Sequence, residues 1–185
     1  MENTTGEQIR KWLEKSPGNP EVSRLEICDT DSLSALKITE NSFIGQIVGH
    51  YSHMQLCGHI HMLCGNGDDS LAELNAVDAY GMPRLFPRAL IIAYDNGGGI
   101  FAVNAGAATY AKIGNVMYLP KEGFAWEDLG IRYSGFLKWA CSVTEKTLLD
   151  GAWKQEYSQV IQGRLQDFII GKAAAYNMFL MHQKG

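Results

Sequence analysis

Apolar and polar positions change their period several times along this chain, and each change marks an element. Ile9, Trp12 and Leu13 fall at helical spacing after Thr5, which predicts a helix stopping near Ser16, ahead of the breaker run Pro17-Gly18-Asn19-Pro20. Leu36 and Ile38 alternate with polar neighbours after Asp29-Thr30-Asp31-Ser32, which predicts a short edge strand within residues 33–39. Ser42 then caps a helix over residues 43–51, with Ile44, Ile47 and Val48 at helical spacing.

Two strands over residues 54–57 and 59–64 turn at Gly58, and Ser70 caps a short helix over residues 71–77. Gly81, Pro83 and Pro87 make residues 78–87 a loop. The strongest signal lies at residues 88–106, where the runs 90–94 and 100–103 flank Asp95-Asn96-Gly97-Gly98-Gly99. Runs rich in Ile, Val, Phe and Tyr around an Asx/Gly cluster read as a hairpin, with Gly97, Gly98 and Gly99 as its structural turn. Both parities of these runs are apolar, as in central strands covered on both faces.

Residues 105–114 are rich in Gly and Ala and read as a loop, residues 115–119 as a strand ended by Pro120, and residues 124–129 as a further segment meeting the sheet. Helical stripes follow: one opened by Tyr133-Ser134-Gly135 that aligns Phe136, Leu137, Trp139 and Ala140, then residues 144–149, 153–161 and 165–181. Strands in the middle with helices toward both ends predict an α+β fold with a largely antiparallel sheet, in a single domain over residues 1–185.

Composition narrows the function classes. The chain is 46% hydrophobic over 185 residues, enough for one core. Twenty acids against sixteen bases give a net charge of −4, without the basic excess of a nucleic-acid binder. The start of the chain carries acids and no apolar core segment, and no run of about 18 apolar residues occurs, so the expectation is a cytoplasmic protein with no membrane span. Cys28, Cys57, Cys64 and Cys141 read as packed thiols.

Chemistry-bearing patterns are sparse. Cys57-x-His59-x-His61-x-x-Cys64 offers two imidazoles and a thiolate on alternating strand positions, the beginning of a metal site, although a turn at Gly58 takes Cys57 off the shared face. A Cys–His nucleophile pair drawn from the same residues lacks an activating context. The Gly97–Gly99 triplet is followed by a strand, not by the helix and Lys-Ser/Thr pair of a phosphate loop, so Asp95 reads as a turn residue bonding backbone amides. Glu122, Glu127 and Asp128 do not share one face, and no catalytic residue or cofactor is expected.

The segments Phe86-Pro87-Arg88-Ala89-Leu90-Ile91-Ile92-Ala93, Gly98-Gly99 with Phe101-Ala102, Asn104 and Gly106, Gly114-Asn115-Val116, and Trp126-Glu127-Asp128-Leu129-Gly130 together resemble the bacterial family known as domain of unknown function 2625. The likeness spans roughly residues 19–160 and leaves 162–185 as a C-terminal helical extension. The family pattern has an Arg where this chain has His61, so the resemblance does not carry the histidine cluster. The hairpin with its acid, paired glycines and following aromatic is also similar to the SUKH superfamily, which implies a SUKH-like fold and an immunity protein that neutralises a toxin. The resulting expectation is a non-enzymatic module binding a protein partner, such as a cationic toxin, through Asp95, Asn96, Trp126 and Glu127. The alternative is a small metal- or ligand-binding protein or hydrolase using Cys57, His59, His61 and Cys64.

Overall fold

The computed structural model describes residues 4–66, 70–76, 86–121 and 125–150. The helices expected over 153–161 and 165–181, most of the 78–87 loop, and Glu122 lie outside the described residues.

Helix α1 (Thr4–Glu14) and strand β1 (Glu21–Arg24) precede two short helices, α2 (Thr30–Ala35) and α3 (Phe43–His50). Strands β2 (Tyr51–Leu56) and β3 (Ile60–Met62), helix α4 (Leu71–Leu74), and strands β4 (Ala89–Asp95), β5 (Ile100–Asn104), β6 (Asn115–Leu119) and β7 (Glu127–Arg132) follow, then helices α5 (Tyr133–Ala140) and α6 (Glu145–Asp150). The seven strands form one sheet in sequence order, every neighbouring pair antiparallel. This is the α+β architecture expected, with α2 to α4 set between strands as well as helices at the two ends.

The sheet is covered on both faces at its centre. On one face Phe101 meets both Tyr118 of β6 and Phe136 of α5, with ring centroids 4.8 Å apart in each pair. Ile9, Leu33, Ile47 and Leu71, from α1 to α4, join the same core. On the other face Ala89, Ala102 and Met117 pack against Ala108 and Ala111 of the loop after β5, with Phe86 and Trp126 at the margin. Burying both parities of β4 and β5 is what makes their sequences read as continuous apolar runs.

One segment departs from the pattern reading. Leu36 and Ile38 do not lie in a strand: Asp29 caps α2 by accepting from the Ser32 amide at 3.0 Å, and Leu36 closes the helix. Lys37 takes φ +54, the Ile38 amide donates to Leu33 O at 2.9 Å and the Lys37 amide to Ser34 O at 3.1 Å. These are the two bonds of a Schellman ending, in which a hydrophobic residue follows the left-handed position. The edge strand in this part of the chain is instead β1, whose four residues are all exposed and so carry no alternation.

Candidate functional site

The hairpin turn is built from Asp95 inward. The Gly98 amide donates to Asp95 O at 3.0 Å and the Asp95 amide to Gly99 O at 3.0 Å, enclosing Asn96-Gly97-Gly98 with Gly98 at φ +87. This is a three-residue hairpin loop with glycine at the left-handed position. The Asp95 side chain, 4% exposed, accepts from the Gly99 amide at 2.8 Å and from the Tyr118 hydroxyl at 2.7 Å. Its carboxyl group therefore faces the interior, where it organises the turn. Asn96 joins this turn to the β2–β3 turn: its Nδ2 donates to Gly58 O at 3.1 Å, its amide to His59 O at 3.1 Å, and its Oδ1 accepts from His61 Nε2 at 2.6 Å.

The loop between β5 and β6 is clamped from below by one side chain. Asn104, 1% exposed, donates through Nδ2 to Ala108 O and Ala111 O, both at 2.9 Å. Its Oδ1 accepts from the Gly106 amide at 2.9 Å and the Ala108 amide at 3.3 Å, so the amide group meets its full hydrogen-bonding capacity. Above this clamp Tyr110 and Ile113 stand 66% and 70% exposed. The Tyr110 hydroxyl donates to Trp126 O, which ties the loop to the start of β7. Trp126 is half-buried, edge-on to Phe86 with centroids 5.3 Å apart, and Glu127 is exposed beside it.

Of the expected contact residues, the structure thus gathers Trp126 and Glu127 around the loop, while Asp95 is interior and Asn96 is half-buried in the turn that precedes β5. Tyr110 and Ile113 went unread in the sequence. The available signal was the presence of two bulky apolar residues within a Gly/Ala-rich loop that follows an Asn.

The Cys57, His59, His61 and Cys64 set is distributed over different surroundings. Burial pushes the Cys57 thiol up to about 11 and the Cys64 thiol up to about 12. His59 is buried, and its Nδ1 has no hydrogen-bond partner among the described residues. His61 is half-buried, stacked on Tyr94 with centroids 4.9 Å apart. Among the described residues, the three-ligand group close enough to hold a metal ion is a different one, Cys28, Glu40 and His50.

Fold and surface together define a single-domain α+β protein with one antiparallel meander and an apolar pair displayed on a braced loop. The chain belongs to the family described as "Protein of unknown function DUF2625", which matches residues 1–168, a wider span than the motifs delimit. It is 29% identical over 158 residues to the uncharacterized protein YbfG of Escherichia coli (strain K12), covering 83% of this chain and 72% of that one. It is 22% identical over 163 residues to an uncharacterized protein of Haemophilus influenzae, covering 83% and 70%. No solved structure matches the chain. No described helix is long and apolar enough to cross a membrane.

Proposed function

We propose that this chain is a non-enzymatic protein-binding module that presents the 105–114 loop and the adjoining strand β7 to a protein partner. The observation that carries the reading is the exposure of Tyr110 and Ile113 on a backbone already fixed by Asn104. Ordering a mobile loop opposes association, so an anchor held in place beforehand retains more of the free energy of burying its apolar surface. Aromatic anchors ringed by polar groups are where binding energy concentrates. Here the surrounding exposed groups carry both signs, with Lys112 and Arg132 beside Glu127 and Asp128.

A toxin-neutralising role of immunity type fits this surface. The net charge of −4 favours a cationic target by steering, and the SUKH-like hairpin motif supports the same class. The test is calorimetric titration of the purified full chain with the proteins encoded beside it. A Tyr110→Ala/Ile113→Ala double variant is expected to lower affinity at least about tenfold. Val22→Ala, on the opposite edge strand, is expected to leave it unchanged. Binding insensitive to the double variant, or no complex with any neighbouring product, overturns the reading.

A further inference from the structure

We propose that Cys28, Glu40 and His50 form a binding site for a thiophilic divalent cation of the zinc class, independent of the loop surface. One ligand atom from each of the three side chains lies within 4.8 Å of the other two, and His50 Nε2 donates to Glu40 Oε1 at 3.0 Å.

The three residues come from separate segments, and hydrogen bonds to the main chain hold each segment in place. The Leu25 amide donates to His50 O and the Asp29 amide to Gly49 O, both at 2.9 Å, so the segment carrying Cys28 is stitched along the end of α3. Gln46 Nε2 donates to Glu40 O at 2.9 Å, fixing the turn ahead of the same helix. Gly49 supplies the room: a Cβ there would stand 3.0 Å from Cys28 Sγ and 3.3 Å from Leu33 Cδ1. The thiol occupies the space a side chain would fill, next to His50 in the chain.

The donor set selects the ion. Zinc accepts sulfur, imidazole nitrogen and carboxylate oxygen together at about 2.0–2.3 Å, which places tetrahedral ligand atoms roughly 3.3–3.8 Å apart. Closing the present group to those separations needs a shift of about 1 Å, within the rotamer freedom of a partly exposed thiol and an exposed glutamate. Calcium and magnesium prefer all-oxygen shells and would not engage the sulfur. Binding releases the thiol proton to solvent and moves the imidazole proton from Nε2 to Nδ1.

Three protein ligands leave a coordination position open. Cys28 also lines a cleft of about 420 Å³ with Asp29, Ser32, Asn66 and Ser70, which puts room for a water or a small polar ligand beside the residue that supplies the sulfur.

Zinc and cobalt(II) titration of the purified full chain tests this. The expected result is one ion per chain, a thiolate-to-cobalt charge-transfer band, and loss of that band in Cys28→Ser. His50→Ala is expected to weaken zinc binding at least about tenfold, whereas Cys57→Ser and Cys64→Ser keep wild-type affinity. Gly49→Ala retains all three ligands but crowds the sulfur and is expected to weaken binding too, which keeps the test decisive if Cys28→Ser folds poorly. Absence of binding at about 100 μM zinc, or binding indifferent to Cys28→Ser, His50→Ala and Gly49→Ala, overturns the proposal.

Discussion

The hydroxyl of Tyr118 on β6 reaches across β5 and donates to the buried Asp95 carboxyl at the end of β4, at 2.7 Å. The phenol passes directly over Gly99, where a Cβ would meet the Tyr118 oxygen at 2.2 Å. One glycine, one tyrosine and one aspartate thus lock three central strands at the hairpin turn. An aromatic ring laid over a bare glycine is a recurrent way of pinning register in a sheet.

Removing the donor leaves the Asp95 carboxyl with an unmet site in the interior. Tyr118→Phe is expected to destabilise the fold by about 1–3 kcal/mol, read from the urea midpoint at unchanged slope. An unchanged midpoint would show that water replaces the hydroxyl.

The two adjacent turn glycines separate conformation from space. Gly98→Ala places a side chain at φ +87 beside the flexible arm of Lys121 and is expected to cost about 1–2 kcal/mol. Gly99→Ala drives a methyl into the Tyr118 ring and is expected to cost more, at least about 3 kcal/mol. In a Tyr118→Ala background the Gly99→Ala increment should shrink, and a double-mutant cycle in urea measures that coupling. Equal increments in the two backgrounds would refute the contact.

These residues also mark what the chain's pattern conveys. The hairpin was legible because Asx and Gly between apolar runs leave few conformations, although only Gly98 of the three glycines takes a positive φ. The end of α2 was hidden because Lys37, not glycine, occupies the left-handed position, and the Ile38 that packs behind it mimics strand alternation. Strand β1 was hidden because an edge strand exposed at all four positions has no apolar period. Cys28, Glu40 and His50 sit in a loop, a turn and a helix end, so their meeting depends on tertiary structure and leaves no spacing motif.

Asn104→Ala tests the brace under the exposed pair. The change strips partners from the carbonyls of Ala108 and Ala111 and from the amides of Gly106 and Ala108. A loss of at least about 2 kcal/mol is expected, with faster hydrogen exchange at the Gly106 and Ala108 amides. Asn104→Asp keeps the two acceptances but turns a buried carboxylate oxygen toward the two carbonyls, so near neutral pH it should cost at least as much as Ala. Unaltered exchange in Asn104→Ala would mean that apolar packing alone holds the loop.

His59 sets the acid limb of stability. Burial pushes its imidazole below the ordinary value of 6.5, and the charges of Asp95 and Glu145 only partly offset that. The direction follows from where the proton is easier to place: the unfolded chain accepts it near pH 6.5, the folded chain only at lower pH, because burial disfavours the charge and Nδ1 has no acceptor among the described residues. Stability from this group is therefore complete above about pH 6.5 and declines as pH falls through that value toward the folded one. Asp29 and Asp128 are also displaced downward. At Asp29 burial raises the carboxyl but the bonds from Ser32, Asn66 and Asp31 together outweigh it; at Asp128 the Gly130 amide leads. Both start from 3.8, so their stabilisation is lost only at more acidic pH and the two windows separate. Melting temperatures measured from pH 7.5 to 5 should fall for the wild type and fall less steeply for His59→Leu, which has no proton to accept. Parallel slopes in the two proteins would place the acid sensitivity elsewhere.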